Sequence, residues 1–220
     1  MLRKRKSETA IRFAFLLFLP CLPYAAAPLN LGRSSARRYR FASDRMITIV
    51  AGTNRPRSRA RRLCDLYTAT LQSLGAEAQV LDLAELPVDF ISTALYDHAG
   101  RNDEFNRLAN MASQAEKLVF VVPEYNCSFP GVLKAFIDGL PYPGGIRNKK
   151  AALVGLSSGT QGGLLALTHL SDVLMYLGTA VLPLRVRLPN IDEHLTREGE
   201  LKHPLFQELL RQQAEELIRF

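Results

Sequence analysis

From Met46 onward, short apolar runs alternate with longer amphipathic segments. Residues 47–51 form a continuous, mostly β-branched apolar run, which is typical of a strand buried on both faces. Residues 58–74 carry apolar side chains at helical spacing, and Gly75 follows at a position where helix ends favour glycine. This alternation continues to the end of the chain and predicts strands and helices in turn.

The pattern predicts an α/β domain built on a parallel sheet. The predicted strands cover residues 47–51, 78–83, 117–122, 151–157 and 179–182, and the predicted helices cover residues 58–74, 103–116, 129–140, 163–177 and 204–220, with residues 87–101 irregular. Right-handed crossovers between parallel strands place helices on both faces of the sheet. Ligands of such sheets bind beyond the carboxyl ends of the strands, so we expect a site in the loops after the first, third and fourth strands.

The net charge of the chain, +7, is concentrated before the first predicted strand. Residues 1–45 contain ten Lys or Arg and two Asp or Glu, a formal charge of +8, whereas residues 46–220 carry a formal charge of −1. A basic surface is the electrostatic basis of nucleic-acid binding. Because the predicted domain is nearly neutral, the sequence does not favour a nucleic-acid partner.

Residues 1–45 admit two interpretations. A basic start, an apolar run over residues 13–22 interrupted by Pro20, and small residues at 25–27 have the layout of a secretory signal. That run is too short to span a bilayer, so no stable membrane insertion is expected. The alternative is an over-extended start or disordered leader, since Met46 opens the first strand as an initiator would. In both cases the predicted domain covers residues 46–220.

The cysteines and histidines show no spacing suited to a metal, and no metal site is expected. The three cysteines are Cys21, Cys64 and Cys127, a sparse, odd set that is typical of a reducing compartment. We therefore expect a cytoplasmic protein, or an exported one if residues 1–27 are a signal peptide. Cys127 is interpreted as a small buried core residue, with a redox thiol as the alternative.

The first candidate loop, residues 52–58, leads from the first strand into a helix. Its donors Thr53, Arg55 and Ser58, together with the N–H groups of the helix start, suit a terminal phosphate bound without a metal. The patterns GxxxxGK[ST] and GxGxxG are both missing from this loop. The alternative is a solvated basic helix start that Ser58 simply caps.

The other two loops offer a flat polar wall and a glycine-rich rim. In residues 123–131, Tyr125 can pack against a flat heteroaromatic ring while Asn126 and backbone groups bind its polar edge. Residues 157–163 contain three glycines, which allow close backbone approach to a ligand. The alternatives are a turn shaped by proline and glycine with a buried Tyr125, and a merely flexible loop. Together the three loops predict a mononucleotide site.

Two motifs and a later run resemble the NADPH-dependent FMN reductase family. They are Gly52-Thr53-x-Arg55-x-x-Ser58, Pro123-Glu124-Tyr125-Asn126-x-Ser128-x-Pro130-Gly131-x-Leu133-Lys134-x-x-Ile137-Asp138, and Leu177-Gly178-Thr179-Ala180-Val181-Leu182-Pro183. The resemblance covers residues 46–185. It implies a flavodoxin-like three-layer fold, in which a five-stranded parallel sheet of order 2-1-3-4-5 has helices on both faces.

The resemblance also implies FMN as the cofactor and a homodimer or homotetramer. The phosphate would lie at Thr53, Arg55 and Ser58. The ring would lie beside residues of the second loop, which are Pro123, Glu124, Tyr125, Asn126 and Ser128. Residues of the third loop would lie at the rim of the ring, and these are Ser157, Gly159 and Gly162. Ala60 stands where the family usually has an asparagine, so one phosphate donor is missing.

The implied function is that of an oxidoreductase which passes electrons from NAD(P)H through bound FMN to free flavin, a quinone, an azo compound or a metal ion. No catalytic triad or carboxylate pair stands out, which agrees with a flavin that carries the chemistry itself. One alternative is a flavin-binding electron carrier or redox sensor without turnover. Another is a small hydrolase using Ser128 or Ser157, although the sequence lacks the G-x-S-x-G motif and any located histidine partner.

Overall fold

A computed structural model describes residues 46–220, and the predicted leader, residues 1–45, lies outside the described residues. Within residues 46–220, six parallel strands form one sheet of order β2-β1-β3-β4-β5, with β6 also paired to β4. The strands are β1 (Ile47–Ala51), β2 (Ala78–Asp82), β3 (Lys117–Pro123), β4 (Lys150–Leu156), β5 (Ala180–Val181) and β6 (Val186–Leu188). The predicted parallel sheet and its strand order are confirmed.

Helices cover both faces of the sheet, as expected for right-handed crossovers. They are α1 (Arg59–Ser73), α2 (Phe90–Thr93), α3 (Asp103–Gln114), α4 (Gly131–Asp138), α5 (Leu164–Tyr176), α6 (Ile191–His194) and α7 (Pro204–Arg219), with short 3₁₀ turns at Leu83–Glu85 and Tyr96–His98. One hydrophobic core joins the sheet to α2, α3, α4 and α5, and the other joins it to α1, α6 and α7. Among residues 46–220, no helix is long and apolar enough to cross a bilayer.

The edge strand differs from the prediction of one strand at residues 179–182. The structure has β5 beside the start of β4 and a sixth strand, β6, beside its end. Pro183 lies in the interruption between them, where its missing N–H removes a ladder hydrogen bond. The strand β6 has only three residues, a pattern too short to separate from a loop by periodicity.

Gln213 on α7 links the interrupted edge strand to the rest of the domain. Its side chain is fully buried, and its Nε2 donates to the carbonyls of Leu153 and Leu184 at 2.9 and 2.7 Å. Its Oε1 accepts from the Tyr67 hydroxyl at 3.2 Å. Because Leu184 lies between β5 and β6, Gln213 supplies a donor where the ladder is broken.

We expect Gln213→Leu to lower the free energy of unfolding by about 2 kcal/mol, because it leaves the buried Tyr67 hydroxyl and the partly buried Leu184 carbonyl without this partner. Urea denaturation measures the change. Gln212→Leu, at the exposed neighbouring position, is the matched control and should change stability by about 0.5 kcal/mol or less. Equal losses in the two variants would show that the buried network contributes nothing specific.

Candidate cofactor-binding site

A cleft of 690 Å³ opens at the carboxyl edge of the sheet, between the loops that follow β1, β3 and β4. Eight of the predicted site residues line it: Thr53, Arg55, Ser58, Pro123, Glu124, Tyr125, Asn126 and Ser157. The predicted convergence of the three loops is therefore observed. Ser128, Gly159 and Gly162, which were also predicted, do not line the cleft.

A second cavity of 580 Å³ lies between α4, α5 and the loop that joins α4 to β4. Its lining is mostly apolar, with Tyr142 and Tyr176 at its edge and Arg147 as its one guanidinium among the described residues. The cleft at the carboxyl edge is lined instead by four arginines and several hydroxyl groups. The chemistry of a phosphorylated ligand therefore favours the cleft.

The start of α1 forms the basic end of the cleft. Ser58 caps the helix, and its Oγ accepts from the Arg61 N–H at 3.1 Å, which leaves the hydroxyl proton able to donate. The N–H groups of Arg59 and Ala60 have no protein acceptor within residues 46–220. Unpaired N–H groups and the positive end of the helix dipole favour a bound anion. Capping and anion binding are thus compatible roles for Ser58.

The arginines of the cleft differ in how they are engaged. Arg59 forms an ion pair with Asp192 on α6 at 2.6 Å, and the Nη1 of Arg62 donates to the Thr196 carbonyl at 2.9 Å. The side chains of Arg55 and Arg57 are exposed and have no ion pair within the described chain. Arg55 and Arg57 therefore supply the guanidinium groups that remain available to a ligand.

Thr53 connects the first loop to the second. It is fully buried; its Oγ1 accepts from the Arg55 N–H at 3.2 Å and lies 3.0 Å from the Tyr125 hydroxyl. The Thr53 hydroxyl is therefore already engaged within the protein. Thr53 therefore fixes the Tyr125 hydroxyl relative to the backbone of Arg55.

Residues 125–128 form a tight hairpin turn. The N–H of Tyr125 donates to the Ser128 carbonyl at 2.8 Å, and the N–H of Ser128 donates to the Tyr125 carbonyl at 3.0 Å. The two central residues, Asn126 and Cys127, have left-handed φ angles of 51° and 59°, as a type I′ turn requires. Asparagine tolerates this region, but a cysteine there is strained. Such strain is often held at functional sites.

The interpretation of Cys127 as a buried core residue is wrong, because the turn projects it into solvent and its thiol is exposed. Cys64 on α1 is the buried thiol. Burial raises the pKa of Cys64 well above its ordinary value, which keeps that thiol protonated and unreactive. Of the two cysteines in the described chain, Cys127 is therefore the one open to reagents.

We expect Cys127→Gly to raise the free energy of unfolding by about 1 kcal/mol, because glycine adopts the left-handed conformation without the steric cost that a Cβ brings. Thermal or urea denaturation measures the gain. Cys127→Ala retains the Cβ and should give no comparable gain. If alanine stabilises as much as glycine, backbone strain at this position is not the cause.

Glu124 joins the second loop to the start of α5. Its N–H donates to the Leu156 carbonyl at 2.9 Å, and its Oε2 accepts from the Gly163 N–H at 3.1 Å. The carboxylate thus compensates the positive start of a helix. Glu124 is fixed between β4 and α5, where it orients the adjoining turn.

The glycine-rich loop after β4 is held by internal hydrogen bonds. Ser157 Oγ donates to the Gly159 carbonyl at 2.8 Å and accepts from the Gly162 N–H at 2.9 Å. Gly162 has a φ of +61°, and a Cβ there would lie 2.8 Å from the Pro189 nitrogen. Gly159 and Gly162 therefore shape the loop that carries Ser157 into the cleft.

Ser128 lies beside the cleft without lining it, and its side chain contacts α5. Its Oγ lies 3.0 Å from Nδ1 of His169, an exposed residue of that helix. This is the histidine partner that the sequence did not locate, since 41 residues separate the two positions and no motif links them. Within the described chain no carboxylate is hydrogen-bonded to His169, and Ser128 lies in a hairpin turn instead of a strand–helix elbow. The pair thus lacks the features of a hydrolytic triad.

The family model described as NADPH-dependent FMN reductase matches residues 45–192. The chain belongs to this family. It is similar to an FMN-dependent NADH:quinone oxidoreductase of Alkalilimnicola ehrlichii, with 32% identity over 149 residues, which cover 56% of this chain and 72% of the relative. It is also similar to a 2-hydroxy-1,4-benzoquinone reductase of a Burkholderia species, with 33% identity over 138 residues, which cover 60% of this chain and 70% of the relative.

A solved structure shares the fold of this FMN reductase family member. The flavoenzyme NAD(P)H:(acceptor) oxidoreductase FerB from Paracoccus denitrificans aligns with a TM-score of 0.64 and 22% identity, over 80% of this chain and 96% of that chain. This likeness confirms the flavodoxin-like fold that the family resemblance implied.

The residues of the cleft fit the cofactor of the family. A phosphate needs donors at one end, which Arg55, Ser58 and the N–H groups at the start of α1 provide. A flat ring needs an aromatic face and polar edge groups, which Tyr125 and Asn126 provide. Sequence reasoning missed eight residues of the lining, which are Pro56, Arg57, Arg59, Ala60, Arg62, Leu156, Ser158 and Ile191. The basic run at residues 55–62 was the visible signal for its arginines.

Proposed function

We propose that the protein is an FMN-dependent NAD(P)H oxidoreductase whose small acceptor is a quinone, with free flavin, azo compounds and metal ions as further candidates. One observation carries the proposal: in a chain of the FMN reductase family, the basic start of α1 and the turn that carries Tyr125 and Asn126 line one cleft. The names of the two quinone-reducing relatives support the choice of acceptor.

In this proposal the chain binds and orients FMN, which supplies hydride acceptance and onward electron transfer when bound. Arg55, Ser58 and the N–H groups of Arg59 and Ala60 hold the phosphate. The backbone N–H of Ala60 remains available although its side chain offers no donor. Tyr125 and Asn126 hold the ring side, and Thr53 fixes Tyr125 in place.

Flavin absorbance and NAD(P)H oxidation together test the proposed function. The purified protein, supplied with FMN, should show protein-bound flavin bands and should oxidise NADH or NADPH with a quinone and with ferricyanide. An electron carrier, the alternative, would hold flavin but oxidise NAD(P)H poorly. A preparation that stays colourless and refuses added FMN would overturn both.

We also propose a cytoplasmic location and a homodimer or homotetramer. The free thiols Cys64 and Cys127 are typical of a reducing compartment. Exposed aromatic side chains beside the apolar cavity, Tyr142 and Tyr176, favour a protein–protein contact. Light scattering that gives the mass of two or four chains would support the oligomer, and a single-chain mass at all concentrations would contradict it.

Residues 46–220 are proposed as the reductase domain. A chain that starts at Met46 should bind FMN as tightly as the full chain, and a loss of binding would contradict this boundary. Export remains the alternative location if residues 1–27 are a signal peptide, and cell fractionation distinguishes the two.

A further inference from the structure

Quinone reduction consumes a proton, and the source of that proton can be inferred if the proposed function holds. A quinone, NAD(P)H and one H⁺ give a hydroquinone and NAD(P)⁺. NAD(P)H is oxidised and supplies two electrons and one hydrogen as a hydride. The quinone is reduced, and the second hydrogen of the hydroquinone must come from an acid. We propose that His169 supplies this proton through the hydroxyl of Ser128.

The side chains that line the cleft are poor proton sources near neutral pH. Guanidinium groups do not release their protons, and serine and tyrosine hydroxyls are weak acids. The Glu124 carboxylate accepts the Gly163 N–H at 3.1 Å, so it is committed to holding the start of α5. Imidazole is the side chain that exchanges a proton near neutral pH, and His169 is hydrogen-bonded to Ser128 in the hairpin turn of residues 125–128.

The hairpin places Ser128 directly opposite Tyr125, which lines the cleft. Tyr125 and Ser128 form an isolated antiparallel bridge. Directly opposed residues of such a pair project to the same face, with their Cβ atoms about 5 Å apart. The Ser128 side chain therefore lies on the same face of the hairpin as Tyr125, whose ring lines the cleft.

The position of His169 suits a proton relay. Its Nδ1 lies 3.0 Å from Ser128 Oγ, so a protonated imidazole donates from Nδ1 to Oγ while the Ser128 O–H passes its proton to the quinone oxygen. Because His169 is exposed, it regains a proton from solvent after each turnover. Gly163, six residues before His169, donates its N–H to the Glu124 carboxylate. This hydrogen bond fixes the start of α5 against the loop that carries the turn.

The charged groups near His169 on α4 and α5 do not compete with Ser128 for its imidazole. Asp172 lies three residues further along α5, and Lys134 and Asp138 on α4 pair with each other at 2.7 Å. None of the three forms a hydrogen bond or ion pair with His169 within residues 46–220. Ser128 is thus the partner of His169 in the described chain.

Two acceptors with different proton demands test the relay. A quinone takes up protons on reduction, whereas ferricyanide takes one electron and no proton. In His169→Gln, the glutamine can still hydrogen-bond to Ser128 but cannot deliver a proton. We expect the ratio of quinone turnover to ferricyanide turnover to fall about tenfold or more, and the solvent deuterium isotope effect on quinone reduction to change. Ser128→Ala should lower the same ratio, and the double variant should lower it no further.

The controls separate this inference from the proposed function. His98→Gln, at an exposed histidine outside the site loops, should leave the ratio unchanged. The FMN dissociation constant of His169→Gln, from fluorescence quenching, should stay within about twofold of the unsubstituted value. An unchanged ratio, or equal loss with both acceptors, would overturn the relay. Failure of the proposed function would appear earlier, as a lack of NAD(P)H oxidation with either acceptor by the unsubstituted protein.

Discussion

Arg55→Ala is expected to weaken FMN binding about 30-fold, which corresponds to about 2 kcal/mol. Arg55 is exposed at the phosphate end of the cleft and has no ion pair within residues 46–220. A charge-assisted hydrogen bond to the phosphate is therefore the interaction that the substitution removes. Quenching of FMN fluorescence on titration with protein measures the dissociation constant. Because the site is open to solvent, the effect should shrink as ionic strength rises.

Riboflavin, which has the same ring but no phosphate, provides the matched ligand control for Arg55. Its dissociation constant should change less than about twofold in Arg55→Ala. Arg101→Ala removes an exposed guanidinium outside the cleft and should change neither constant. An equal loss for FMN and riboflavin would place Arg55 away from the phosphate.

Gly155→Ala is expected to lower the free energy of unfolding by about 3 kcal/mol. A Cβ at Gly155 would lie 2.5 Å from the Gly162 carbonyl oxygen and 3.0 Å from Cγ of Leu167. The glycine-rich loop of residues 157–163 cannot move to relieve this clash. Gly162 packs against the backbone at Pro189, and Gly163 packs against Gly155 itself. Overpacking of this kind typically costs about 1–3 kcal/mol, and contact with backbone favours the upper end.

Thermal denaturation measures the effect of Gly155→Ala, with an expected fall in Tm of roughly 6–12 °C for a domain of this size. Gly144→Ala is the matched control, because a Cβ there meets nothing within 4 Å and should change stability by about 0.5 kcal/mol or less. The displaced loop carries Ser157, so Gly155→Ala should also weaken FMN binding. Equal Tm values for the two variants would contradict the close packing of the glycine loop.

The central strands could be predicted from the sequence because burial on both faces makes them continuous apolar runs. Ile47–Ala51 is entirely buried, and its predicted bounds match the structure. The edge strand could not be predicted in the same way. β5 has two residues and β6 has three. Both pair with β4, and Gln213 of α7 donates to the Leu184 carbonyl between them. Those are tertiary contacts that local periodicity does not contain.

The position of the candidate site could be predicted from topology, since loops after parallel strands meet at one edge of the sheet. The contacts that organise it join residues far apart in the sequence. Thr53 meets Tyr125, and Ser128 meets His169, without any motif that links the partners. The exposure of Cys127 was mispredicted because its turn lacks the Asn-Gly signal that marks a type I′ hairpin.

A crystal structure of the FMN complex would show where the flavin binds. We predict the phosphate at Arg55, Ser58 and the start of α1, and the ring beside Tyr125 and Asn126. Flavin density in the apolar cavity beside Tyr142 and Tyr176, with the carboxyl-edge cleft empty, would contradict it.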